Sequence, residues 1–502
     1  MKATVLEANR YNLIGKTKMR FTKNKIALSF CVAHIWVARI WAACVVCIVF
    51  SANVAFADAE IKIQKISDRV YLIPDAKAKT IDFQMIVNAG CYDEANNNCQ
   101  GIAHYLEHII LVGRNAGTND IAFRFFPDAY ANGWTNNSAT AYIHKVPLKN
   151  GSAEPILEKL FDFYAKRLND FEVSISDAER ERKIVRQEYD WRYASKPETL
   201  FLLAASALEI PQHPYDQSAA GTPESIDAFT IEQVKAFHQR WYSKDNVSFV
   251  ITGNIEPEKL KQLSQKALDT VPNRPIPTHD WKAMPNYKNE IVSKTGADKQ
   301  TERTKIYMSK IIKIDDKDEF QTQAAQNILY SFLSSKLTDS PYSVLVERKL
   351  LASDVSAYIQ KRVPGVYEFG ISATLADEAS TEQLTEAMTD YTSQFSKLQI
   401  SDATLLRLKK RYADGWRESL DNAEQITSRL ASWIARDLPY GELAQIPERV
   451  ESVSLSDIKT QIQAVSNEGR IVFAILKPEN VTDKALNTAA SKNTDTLKKV
   501  IK

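Results

Sequence analysis

The sequence predicts an α+β protein made of two homologous α/β sandwich domains, and three observations carry that reading. Strand-like runs at Phe83–Val87, Val247–Ile251, Tyr367–Ala373 and Ile471–Ile475 bracket long helical patterns at Ala153–Leu168, Asp177–Tyr193 and Thr381–Leu398. Each half therefore runs strands, then helices, then strands, which suits a sandwich better than alternating parallel units. Segments also recur at one nearly constant shift. Ser176-Asp177-Ala178 to Trp191-Arg192 is echoed by Ser401-Asp402-Ala403 to Trp416-Arg417, and Thr230–Lys235 with its following strand by Ser454–Lys459 with its own. Two separate segments sharing that shift point to duplication. Between the halves, Pro272, Pro275 and Pro277 fall within six residues and disfavour both helix and central strand.

Along the chain this gives a leader over 1–57, a first domain over 58–271, a linker over 272–300 and a second domain over 301–502. At 502 residues, 44% hydrophobic and 25% charged, the chain is neither disordered nor fibrous. Residues 1–57 hold eight Lys or Arg and one acid, Glu7, so the remaining 56 bases and 61 acids carry −5. That balance gives no support for a nucleic-acid partner. The basic stretch, the apolar run to Phe50 and Ala55-Phe56-Ala57 read as a secretory signal. The expected location is the periplasm, with membrane attachment only if the signal stays uncleaved. Cleavage would remove Cys31, Cys44 and Cys47 and leave Cys91 and Cys99, eight residues apart in a polar loop, to pair in an oxidising compartment.

The chemistry sits in Gly101-Ile102-Ala103-His104-Tyr105-Leu106-Glu107-His108-Ile109-Ile110-Leu111-Val112-Gly113. Apolar residues fill almost every other position, so the pattern is a nearly buried helix closed by Gly113. His104 and His108 lie one turn apart, with Glu107 on the same stripe. Unpaired ionisable groups on a buried helix are costly. A zinc ion accounts for them: two imidazoles bind it and the carboxylate takes a proton from water. Zinc needs a third protein ligand, and Glu181 and Glu188, seven residues apart on one face of a helix capped by Ser176 with Glu179, are both candidates. The same helix carries Arg180, Arg182, Lys183 and Arg186, as a solvated face would.

These residues resemble the pitrilysin or insulinase family of zinc metallopeptidases, which includes the mitochondrial processing peptidases. Asn132-Gly133-Trp134-Thr135, Thr140-Ala141-Tyr142 and Val146-Pro147 are similar to the family segment whose strand edge accepts substrate backbone. Ser334-Ser335-Lys336-Leu337 and Glu347-Arg348-Lys349 resemble its non-catalytic domain. The resemblance implies a processing-peptidase-like fold closing as a clamshell, Glu188 as third ligand and Glu181 as an acid behind the ligands. It implies a zinc endopeptidase in which Glu107 activates water against an extended peptide laid along Asn132, Gly133, Trp134 and Thr135. The alternative is a non-catalytic or partner-dependent subunit of a heteromeric peptidase, and a homodimer or heterodimer is compatible with either.

The internal shift carries His104, Glu107 and His108 onto Ile328, Ser331 and Phe332, and all seven histidines lie at or before His279, so one zinc per chain is expected. The family holds the peptide carbonyl with an Arg and a Tyr of its second domain. Here Val363-Pro364-Gly365-Val366 reads as a tight turn that would set Arg362 opposite Tyr367.

Overall fold

The computed structural model describes residues 63–479 apart from 96–97, 113–125, 127, 150, 212, 214–217, 280–281 and 315–316. The leader, its cleavage site and the cap at Gly113 lie outside the described residues. The first half runs β1 (Gln64–Ser67), β2 (Val70–Pro74), β3 (Thr80–Val87), α1 (Ile102–Val112), β4 (Tyr130–Thr135) and β5 (Thr140–Pro147). It continues through α2 (Ala153–Asn169), α3 (Ile175–Tyr189), α4 (Pro197–Ser206), α5 (Pro223–Ala228) and α6 (Ile231–Trp241) to β6 (Val247–Gly253) and α7 (Pro257–Leu268). The second half runs β7 (Glu290–Asp298), β8 (Lys305–Lys313), α8 (Glu319–Leu333), β9 (Ala352–Val363) and β10 (Val366–Leu375). Then come α9 (Thr381–Ser393), α10 (Asp402–Leu420), α11 (Ala423–Ile434), α12 (Tyr440–Ala444), α13 (Ile446–Ser452), α14 (Leu455–Ser466) and β11 (Arg470–Pro478).

The two sheets are ordered β1-β2-β6-β3-β5-β4 and β7-β11-β8-β10-β9. With β1 set aside they match strand for strand. Each has one parallel pair at the same place, β2 with β6 and β7 with β11, and antiparallel pairing elsewhere. Helix α8 then occupies the place of α1 in the repeat, and Ile328 and Phe332, the positions that the shift assigns to the two histidines, are buried in its apolar core.

Strand alternation divides the first sheet between two cores. Val70, Leu72, Phe83, Met85, Phe249 and Ile251 point into the core beneath the first half's own helices. Their neighbours Tyr71, Ile73, Ile86 and Val250 enter a core shared with the second half. Helix α11 lies on that second face, where Thr252 and Thr427 hydroxyls meet. Burial on both faces explains why β6, buried along its whole length, is mostly apolar, with only Ser248 and Thr252 polar. The halves thus share an apolar core on one side, while between them lies a cavity of about 840 Å³ with walls from both.

Four boundaries differ from expectation. Residues Glu290–Asp298 of the expected linker form strand β7, pairing in parallel with β11 alone. An edge strand can be polar because one side of its ladder faces outward, and Gly296 belongs there because a Cβ would lie 2.7 Å from the Phe201 ring of α4. Helix α3 is capped by Ser174, which accepts from Asp177 N at 3.0 Å, not by Ser176 with Glu179. Its far end passes into a π turn over Asp190–Ala194. Thr381–Leu398 is likewise divided, α9 ending at Ser393 before a 3-10 turn at Phe395–Lys397.

Candidate metal centre

Helix α1 is held from all sides. Ala103, Tyr105, Leu106, Ile109 and Ile110 are fully buried, Tyr105 Oη donates to Ala178 O of α3 at 2.8 Å, and buried Arg167 Nε donates to Ile110 O near the helix end at 2.6 Å. The remaining stripe, His104, Glu107 and His108, faces a cleft of about 340 Å³ walled by α3 and β4. Helix α3 is fixed in turn by Arg182, which donates to Ile226 O and Phe229 O, and by Arg186, which donates to Pro223 O. These arginines do more than solvate a face.

Glu188 Oε2 stands 3.6 Å from His104 Nε2, and Glu188 Oε1 stands 3.6 Å from His108 Nε2. One ligand atom from each of the three residues lies within 4.8 Å of the others. Tetrahedral zinc with bonds of 2.0–2.2 Å separates its ligands by about 3.4 Å, so the set fits that ion. Glu188 Oε2 is buried and makes no hydrogen bond, only longer ion pairs to His104 and, at 3.3 Å, to Arg192. A cation between the three side chains would satisfy it. Glu181 lies on the far side of His108, its Oε2 3.5 Å from Nδ1, a place from which a carboxylate can orient the ring and leave Nε2 to a cation.

Glu107 is 5% exposed, and burial pushes its carboxyl above the ordinary range against the pull of His104, His108 and a hydrogen bond from Thr135. Burial pulls the His108 imidazole down, but the Glu181 hydrogen bond with the charges of Glu107 and Glu188 outweighs it and leaves the ring raised. His104 holds the Glu188 carboxyl low, helped by His108 and Arg192. The cleft thus pairs a carboxyl held low, Glu188, with one pushed up by burial, Glu107.

Strand β4 supplies the other wall. Among the described residues it pairs with β5 alone, and no described strand pairs with its outer edge. Thr135 Oγ1 donates to Glu107 Oε2 at 2.7 Å, and a Cβ at Gly133 would lie 2.4 Å from Glu107 Oε1, so only glycine leaves the base its place. Asn132 and Trp134 line the same cleft. Thr135 also borders the large cavity between the halves, so the cleft and the cavity adjoin.

Other expected residues stand elsewhere. Arg362 is not opposite Tyr367: the register pairs Val363 with Val366 and Lys361 with Tyr367, leaving Arg362 as the extra residue of a bulge. Tyr367 is packed into the second core, which removes it from a peptide's reach. Arg362 lines the large cavity but is engaged by Glu209 and Glu368. Cys91 and Cys99 form a disulfide with Cα atoms 4.8 Å apart. The polar loop expected between them is exposed only in part: Ala95 and Asn98 are exposed, whereas Tyr92, Asp93 and Glu94 are buried. Sequence reading missed Glu94 for that reason. It missed Arg192, which lines the same cleft as His104, Glu107 and His108, because that residue entered only as the end of the repeated segment.

Residues 69–213 match the family model described as Insulinase (Peptidase family M16), and residues 228–412 match Peptidase M16 inactive domain. The chain belongs to the insulinase family of peptidases, M16. Among curated relatives, this M16 chain is 22% identical over 414 residues to zinc protease PqqE of Helicobacter pylori, covering 80% of itself and 88% of that protein. It is 22% identical over 454 residues to probable zinc protease PqqL of Escherichia coli, covering 84% of itself but only 46% of the relative. The M16 fold recurs in a protease structure from Helicobacter pylori at TM-score 0.67 and 20% identity, covering 82% of this chain and 97% of that one. It recurs in the periplasmic protease PqqL from Escherichia coli at TM-score 0.68 and 17% identity, covering 84% and 48%.

Proposed function

We propose that this M16 chain is a zinc-dependent endopeptidase that hydrolyses extended peptides or unfolded protein segments. The observation that carries the reading is the convergence of His104, His108 and Glu188 beside Glu107, against the open edge of β4. Zinc held by those three residues supplies a Lewis acid that polarises the scissile carbonyl and acidifies a water. Glu107, shielded from solvent and steadied by Thr135, accepts the proton of the attacking water and delivers it to the leaving amine. The substrate backbone adds as a further strand along Ala131 to Thr135, which aligns one peptide bond over the cleft and favours chains that can be extended.

One zinc per chain follows, since His104, His108 and Glu188 are the one such ligand group among the described residues. Residues 1–57 are proposed to direct export to the periplasm before removal. Among the described residues no helix is long and apolar enough to cross a membrane. A second reading, a partner-dependent subunit, is favoured by the match to an inactive-domain model and by the chain spanning less than half of PqqL.

The test is to purify residues 58–502, count zinc and offer a mixed peptide library. One zinc per chain with cleavage abolished by a chelator is the expected result. A chain that holds zinc but cuts only when a partner is added is the subunit. A chain that takes up no zinc overturns the proposal.

A further inference from the structure

The N-terminal turn of α1 has exposed N–H groups to satisfy, and the residues before it, Gln100 and Gly101, offer no Ser, Thr, Asp or Asn cap. The partner comes from further back. Glu94, 3% exposed, accepts from Gln100 N through Oε2 at 2.7 Å and from Ala103 N through Oε1 at 3.0 Å. Ala103 adjoins the first histidine. A buried carboxyl group with an oxygen on each of two backbone donors ties the start of the helix, and burial pushes this carboxyl up to about 8 even against those donors.

The loop that carries Glu94 is anchored at each end and through Tyr92 and Asp93. The Cys91–Cys99 disulfide closes it. Asp93 accepts from Gly90 N at 2.9 Å and meets His279 Nδ1, while Trp241 Nε1 donates to its carbonyl at 3.1 Å. Its other side is bonded to the turn that follows β4: Cys91 N donates to Asn136 O, Tyr92 N to Asn137 O, and Asn137 Nδ2 to Tyr92 Oη. Cys91, Tyr92 and Cys99 also pack against Val363 and Val366 of the second half. One loop therefore touches the start of the helix bearing Glu107 and the end of the strand bearing Thr135.

We infer that Glu94 is a positioning residue, which through its bonds to the first turn of α1 and its disulfide-closed loop sets the histidine pair and Glu107 against β4. Its catalytic readout rests on the proposed peptidase activity. Its metal readout does not.

The test compares zinc affinity, by competition with a chelator, and kcat and KM between the wild-type chain and Glu94→Gln, which keeps the shape but puts an NH₂ group against a backbone N–H. Zinc affinity should fall 10- to 100-fold, as for other groups that orient ligands, and kcat should fall while KM stays near the wild-type value. Ile371→Val in β10, fully buried in a cluster that does not include the loop, serves as a control for simple loss of stability. Wild-type zinc affinity in Glu94→Gln, or a loss no greater than in Ile371→Val, overturns the inference. Should Glu94→Gln fail to fold, the double variant Cys91→Ser and Cys99→Ser keeps the carboxylate on a loosened loop. It should bind zinc several-fold more weakly, and unchanged affinity in that folded variant overturns the inference as well. If the wild-type chain binds zinc but cuts no peptide, the function proposal fails and the zinc comparison still decides this one.

Discussion

Thr135 Oγ1 donates to Glu107 Oε2 at 2.7 Å and so joins the open edge strand to the metal helix. The bond holds the carboxylate of Glu107, the proposed base, on the side of β4. Glu107→Gln should keep zinc and lose hydrolysis by at least about 10²- to 10⁴-fold, the usual worth of a positioned base. Thr135→Val should keep zinc and lose less, about tenfold in kcat, as one hydrogen bond to a charged group is removed. Turnover near wild type in Glu107→Gln would sink its assigned role.

Gly133 offers an independent probe of the same carboxylate. A Cβ there meets Glu107 Oε1 at 2.4 Å, closer than atoms tolerate, so Gly133→Ala must displace the base or the strand. The expected outcome is a kcat loss of more than about tenfold, since small misplacement of a reacting group is expensive, with zinc content unchanged. Loss of zinc with activity per bound metal intact would show that the strand acts on the ligands instead.

The two glutamates of α3 should separate in metal binding. Glu188→Gln removes a ligand and should lower zinc affinity by more than 100-fold, whereas Glu181→Gln removes only the partner of His108 Nδ1 and should cost about 10- to 100-fold. Metal titration of both variants decides the order, and the reverse order would exchange their roles.

His279 should make stability depend on pH. The Asp93 hydrogen bond raises its folded pKa above the unfolded value of about 6.5. Its stabilisation is therefore complete below that unfolded value and is lost as pH rises through the folded one. The difference in thermal midpoint between wild type and His279→Gln should be largest at pH 5 to 6 and shrink toward pH 9. A difference that grows with pH would contradict the Asp93 pairing.

The Cys91–Cys99 bond can be read directly. Mass spectrometry of the unreduced protein, isolated from the compartment where it matures, should show one fewer pair of hydrogens and no alkylatable thiol at these positions. Two alkylated cysteines would show that the bond is not made in that compartment.

Where a single element decides the arrangement, the sequence was enough. His104, Glu107 and His108 share a stripe because a helix repeats every 3.6 residues, and no tertiary contact can change that. The repeat shift likewise pointed to two sheets of one topology, because duplicated chains inherit the same strand order.

Relations between elements were settled only by packing. Glu181 and Glu188 lie two turns apart on one face of α3, and the way α3 crosses α1 put Glu188 beside the Nε2 atoms of both histidines and Glu181 beside His108 Nδ1. The turn at Pro364-Gly365 left Arg362 in a bulge, which undid the pairing with Tyr367 that simple alternation suggests. Strand β7 is polar, so only its parallel partner β11 marks it as a strand. Glu94 looked like a loop acid because its partners are backbone N–H groups six and nine residues on, and backbone donors carry no sequence signal. Local periodicity could place each side chain on its own element, but the distances between elements are set by side-chain packing, which no stretch of sequence contains by itself.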